Sequence, residues 1–193
     1  MGHSSDVHDE IVLAAVLADP VCAAVLDRLP SLGLTEWWLT AGAVFQNVWN
    51  SVEGKPAGYG IKDYDVFYHD DSDLSWEAED GVIRAADELM ADIPAPLEVR
   101  NQARVHLWYE KKFGKPCPPF SSATDAIRAF ASTACCVGVT RDESGLRLYA
   151  PFGLDDVLGM HLRPHRRLAP KQVYDAKACD YAARWPSLTV EPW

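Results

Sequence analysis

The stretch from Glu36 to His69, EWWLTAGAVFQNVWNSVEGKPAGYGIKDYDVFYH, constrains the chain more than any other. Its pattern predicts a strand over Glu36–Thr40, a small-residue turn at Ala41-Gly42-Ala43, a helix over Val44–Val52, a glycine-rich loop and a second strand over Lys62–Tyr68. Side chains on a strand alternate faces, so Asp63 and Asp65 point one way while Tyr64 and Val66 point the other. Two carboxylates side by side repel each other, and one or two divalent cations with oxygen ligands are the common remedy. The turn supplies a complementary feature. A glycine entering a helix offers free backbone N–H groups and the positive end of the helix dipole to an anion, so phosphate and metal can meet here.

With 193 residues, 48% of them hydrophobic, the chain is long enough for one well-packed domain and short for two, so a single domain over residues 1–193 is expected. The net charge of -10, from 18 basic and 28 acidic residues, repels phosphate backbones and argues against a nucleic-acid partner. The acidity is local. Eleven Asp or Glu fall between Asp63 and Asp92 against the single Arg84, and Asp70, Asp71, Asp73, Glu77, Glu79 and Asp80 read as a solvated face. From His161 onward the balance turns basic, with Arg163, Arg166, Arg167, Lys171, Lys177 and Arg184. The five cysteines (Cys22, Cys117, Cys135, Cys136, Cys179) show no C-x-x-C spacing, which fits a reducing cytosol better than disulfides or zinc. No signal peptide and no membrane-length apolar run is visible, so a soluble cytoplasmic protein without a membrane partner is expected.

Along the rest of the chain, Asp6 is placed to cap a helix over Val7–Ala18, and Asp19-Pro20 opens a second one. Ser75–Met90 has helical spacing, and Leu97-Glu98-Val99-Arg100-Asn101 reads as a short alternating strand that adds a third carboxylate, Glu98. Gln102–Phe113 is read as a helix ended by Gly114. Ser122-Ala-Thr-Asp125 forms a capping box for a helix to about Ala131. A hairpin over Thr133–Thr140 and Gly145–Ala150 follows, and a final helical stretch covers Lys171–Trp185.

Four stretches carry a family pattern: AGAVFQNVWN (41–50), IKDYDVFYHD (61–70), LEVRNQARVHLWYEKKFG (97–114) and APFGLDDVLGMHLRP (150–164). In this order they resemble the polymerase-β-type nucleotidyltransferase superfamily, and within it a bacterial nucleotidyltransferase-like family of about this length. The resemblance implies an α+β fold, a mixed β-sheet with helices packed against it. It also implies a metal-dependent nucleotidyltransferase in which Asp63, Asp65 and Glu98 are catalytic and bind Mg²⁺ or Mn²⁺. The implied substrate is a nucleoside triphosphate. A hydroxyl on a small molecule or protein attacks its α-phosphorus and pyrophosphate leaves. Gly42 and Ala43 would cradle the β- and γ-phosphates through backbone N–H groups, because Ala43 stands where the superfamily usually has Gly or Ser. Between Ala43 and Asp63 lie 19 residues, more than the superfamily's usual gap.

Gln46 and Asn47, in the first helical turns, are in reach of ribose or phosphate, with structural side-chain bonds as the competing role. Arg104 is the best side-chain candidate for a triphosphate, since a planar guanidinium matches phosphate bidentately. For Glu98 the competing role is an ion pair with Arg100 or Arg104. His106 is as readily structural as catalytic, and Pro164 between His161 and His165 argues against their pairing as helical ligands. The rival reading of the whole chain is a nucleotide- or partner-binding protein on the same fold, without turnover.

Overall fold

Strand formation follows the alternation of the sequence. In a computed structural model, which describes residues 3–193 and their side chains from Val7 onward, β1 (Trp37–Thr40), β2 (Tyr64–Tyr68), β3 (Leu97–Asn101), β4 (Gly138–Asp142) and β5 (Gly145–Tyr149) form one sheet in the order β3-β2-β1-β4-β5. β2 and β3 are parallel, and every other pairing in this sheet is antiparallel. The α+β class and the mixed sheet expected from the sequence are therefore present. The register sets Asp65 beside Glu98 and Phe67 beside Arg100 on β3, with Thr40 and Trp38 as their partners on β1.

One sheet face is apolar. Tyr64, Val66 and Tyr68 alternate inward with Leu39 and Val99, and join a core built from α1 (His3–Leu17), α2 (Pro20–Arg28), α3 (Gly42–Val52) and α4 (Trp76–Leu89). Trp49 lies at the centre of that core without exposed surface, edge-on to Phe45, Tyr181 and Trp185, and its indole N–H donates to the Val157 carbonyl at 3.1 Å. The opposite face carries Asp65, Phe67, Glu98 and Arg100. It is covered in part by α5 (Tyr109–Phe113) and α6 (Ala123–Ile127), which contribute to a second, smaller apolar cluster. After α7 (Asp155–Leu158), β6 (His161–Leu162) pairs in parallel with β7 (Thr189–Val190), and α8 (Lys171–Arg184) lies between them in sequence. Among the described residues no helix is long and apolar enough to cross a membrane.

Several local expectations are corrected. α1 runs through from His3, so it does not begin after Asp6, whose side chain lies outside the described residues. α3 starts two residues early, at Gly42, and β2 starts at Tyr64, leaving Asp63 just before the strand. Gln102–Phe113 is a 3₁₀ stretch, Gln102–Leu107, followed by the one-turn α5. Gly114 ends it at φ 68° as expected, a conformation that suits glycine. Ser122 does cap α6, accepting from the Asp125 N–H at 2.9 Å, but the helix stops at Ile127. The hairpin's first strand begins at Gly138, since Thr133–Cys135 forms a 3₁₀ turn.

Two buried polar groups decide local geometry. Asp19 caps α2 by accepting from the Val21 N–H at 2.9 Å, and its other oxygen accepts from Tyr64 Oη at 2.9 Å and Asn47 Nδ2 at 3.0 Å. It thereby ties α2, α3 and β2 together. Glu79, expected to be solvated, is instead buried: it accepts from the Asn101 N–H at 2.8 Å and forms a close ion pair with Arg104. Arg104 is used up by this pair, by donation to the Leu74 carbonyl at 2.9 Å and by its position over the Trp76 ring. Removing one member of a buried pair strands the other charge. Arg104→Ala is expected to lower unfolding free energy by about 3 kcal/mol in denaturant titration, and to leave the folded protein's affinity for nucleotide unchanged.

Candidate active site

Parallel pairing brings two of the three predicted carboxylates onto neighbouring strands. Asp65 and Glu98 are register partners, about 4.8 Å apart along the hydrogen-bonding direction by general sheet geometry. Asp63 sits one residue before the strand. The electrostatics show that all three share one region. The Asp65 carboxyl is pushed up to about 7, first by burial and then by the negative charges of Asp63 and Glu98, while Lys177 and Arg100 pull it back. Glu98 stands 3.7 Å from Arg100 with both side chains half-exposed, so the competing ion pair with Arg100 is present but loose.

The donor chemistry fits a hard divalent cation, because the set is all carboxylate oxygen on adjacent backbone. As the side chains stand, no group of three or more His, Cys, Asp or Glu among the described residues is gathered to hold a metal ion. The fit is one of donor type and strand placement.

The turn before α3 is strained in a specific way. Ala41 adopts φ 54°, ψ -134°, a conformation that costs a residue with a Cβ about 1–3 kcal/mol, and no side chain among the described residues caps the helix it precedes. Gly42 is the first helical residue. A Cβ there would stand 2.6 Å from Gln46 Nε2, so the absence of a side chain lets the Gln46 amide fold back over the helix N-terminus. Gln46 Oε1 in turn accepts from Arg184 at 3.3 Å.

The other nucleotide-binding candidates have contacts within the protein. Ala43 has no exposed surface, and its carbonyl accepts from Asn47 Nδ2 at 2.9 Å; these contacts engage its side chain and carbonyl, not the backbone N–H expected at phosphate. Asn47 is buried and saturated: its Nδ2 donates to Asp19 and to the Ala43 carbonyl, and its Oδ1 accepts from the Gly58 N–H at 2.8 Å, pinning the glycine-rich loop. Arg104 belongs to the Glu79 pair.

Two clefts meet at the carboxylates. One, of about 470 Å³, is polar and includes Gln46, Lys62, Asp63, Lys177, Asp180 and Arg184. The other, of about 560 Å³, has Asp65, Glu98 and Lys177 in its lining and a largely apolar wall elsewhere, rich in aromatic rings. Lys177 borders both. It and Arg184 are the site residues that motif reasoning missed, although a signal existed: Lys177, Asp180, Tyr181 and Arg184 follow i, i+3, i+4, i+7 spacing and so share one face of α8.

The raised Asp65 carboxyl has a sign-defined consequence. A folded-state value above the ordinary carboxylate range means the folded protein binds the extra proton, so stability is highest below about pH 4 in this contribution and is lost as pH rises toward 7. Asp65→Asn, which removes the charge, is expected to stabilise the ligand-free protein by on the order of 1–3 kcal/mol at pH 8 and by almost nothing at pH 4, read from urea midpoints at the two pH values.

Comparison with known proteins agrees with this fold. No curated protein matches the chain. A solved structure described as revealing a CCA-adding enzyme head domain superposes with a TM-score of 0.74 at 26% identity, covering 96% of each chain. The sequence pattern of a family described as nucleotidyltransferase matches residues 27–190, from α2 to β7 and through every element that borders the two clefts. The chain belongs to that nucleotidyltransferase family.

Proposed function

We propose that the protein is a metal-dependent nucleotidyltransferase that moves a nucleoside monophosphate from a nucleoside triphosphate onto a hydroxyl of a small molecule or protein. The observation that carries this reading is the meeting of three carboxylates between a cationic cleft and an aromatic one. Asp63, Asp65 and Glu98 would hold Mg²⁺ or Mn²⁺, which when bound neutralises the carboxylates and offsets charge on the phosphates.

The chain's own residues divide the remaining work. Lys177 lines the polar cleft and supplies positive charge to the triphosphate; Lys62 and Arg184, which both pair with Asp180 on the same lining, supply less, and Gly42 and Gln46 stand at the N-terminus of α3. The acceptor lies on the Glu98 side. Its oxygen forms a bond to the α-phosphorus, the bond to the bridging oxygen of the β-phosphate breaks, and pyrophosphate departs along the cationic cleft. Glu98, half-exposed at the mouth of the aromatic cleft, takes the hydroxyl proton and releases it to solvent. A nucleic-acid acceptor, suggested by the description of the CCA-adding neighbour, is the second reading; the net charge of -10 weighs against it.

Thermal unfolding with each nucleoside triphosphate, with and without Mg²⁺, tests this reading. A metal-dependent stabilisation of about 2.7 kcal/mol is expected at a hundredfold excess over the dissociation constant. Asp63→Asn with Asp65→Asn should abolish it, and Lys177→Ala should weaken triphosphate binding about tenfold, the effect of losing one charge contact. Folded protein that responds to no triphosphate would instead point to a partner-binding protein on this fold.

A further inference from the structure

The cleft of about 560 Å³ beside Asp65 and Glu98 has a lining that phosphate transfer by itself does not require. Phe67, Val105, Tyr109, Phe113, Phe120 and Leu168 belong to an apolar cluster separate from the main core, and all six border the cleft. Phe67 is stacked at a tilt on Phe130 with centroids 5.5 Å apart, and Tyr109 on Phe113 at 4.6 Å. Trp108 stands at the edge, 38% exposed. A volume of this size is that of a small-molecule site, where an apolar body is enclosed and a few polar groups fix orientation.

The charges around the cleft narrow the occupant further. Its cationic side chains are Arg100, Lys112 and Lys177. Arg100 faces Glu98, Lys177 lies in the field of Asp65, and Lys112 rests over the Trp108 and Phe113 rings. Among the described residues that line the cleft, Lys112 is the one cation on the aromatic wall, so no run of cations extends along it from the carboxylates. Single-stranded nucleic acid stacks bases on aromatic side chains, but it also needs a cationic track for its backbone. The cleft offers stacking without that track.

We propose that this cleft is the acceptor's place and that the acceptor is a small, ring-bearing apolar alcohol, its ring against Trp108, Tyr109 and Phe113 and its hydroxyl beside Glu98. This rests on the transferase reading above. In the transfer the alcohol oxygen bonds to the α-phosphorus, the bond from that phosphorus to the bridging oxygen breaks, pyrophosphate leaves, and the alcohol proton goes through Glu98 to solvent.

The probe is 2-naphthylmethanol, titrated into the full chain without nucleotide and followed by thermal shift and intrinsic fluorescence, then offered with α-labelled nucleoside triphosphate and Mg²⁺. Saturable binding is expected, weakened at least tenfold in Trp108→Ser, an edge substitution that leaves the core intact, and likewise in Phe113→Ser. Label should pass to naphthylmethanol and not to glycerol. The inference is overturned if folded wild-type protein does not bind the alcohol, if both variants bind it as wild type does, or if a short RNA with a free 3′-hydroxyl displaces it and takes the label instead. Failure of triphosphate binding would strike at the transferase reading, whereas failure of alcohol binding with triphosphate binding intact would strike at this one alone.

Discussion

Parallel pairing of β2 with β3 forces Asp65 and Glu98 onto adjacent positions of one sheet face, and Asp63 joins them from the residue before the strand. Hydrogen bonding along the two backbones fixes this juxtaposition; the side chains only suffer it. The repulsion is visible in Asp65, whose carboxyl holds its proton to about 7. Much of the surrounding structure responds to this concentration of negative charge: Arg100 leans toward Glu98, and α8 lays Lys177 across the face.

A second constraint keeps that face available. The other side of β2 is fully committed to the core through Tyr64, Val66 and Tyr68, and Tyr64 is tied to Asp19 through its hydroxyl. A slip of one residue in β2 would put the carboxylates into the apolar core and the aromatic rings into the cleft, so register and chemistry are enforced by the same alternation. Asn47 serves this arrangement by holding the glycine-rich loop against α3, which sets where β2 begins.

The sequence made the central pattern legible because it is local. The strand, the Gly42 turn, the helix and the Asp63-x-Asp65 pair all lie within one stretch, and period-two alternation already assigns their faces. Glu98 was also legible, because a short alternating strand after Pro94 and Pro96 has few other uses. Partnerships across long sequence separations were not. Arg104 looks like a phosphate ligand until Glu79, 25 residues earlier in sequence, is seen buried against it, and Asn47 looks available until Asp19 and Gly58 close around it. Composition treated Glu79 as one more member of an acidic run, whereas its burial depends on where α4 lands on β3. The cationic wall was overlooked for the same reason: the spacing of Lys177, Asp180, Tyr181 and Arg184 puts them on one face of α8 but does not say where in the fold that face lands.

That wall has a consequence for how the protein comes into being. α8 begins at Lys171, more than seventy residues after Glu98, so a ribosome releases the sheet face and its carboxylates well before the helix that shields them. The last helix to emerge closes the polar cleft and also brings Tyr181, and Trp185 just after it, against Trp49, so the site and the centre of the core are completed together, late in vectorial folding.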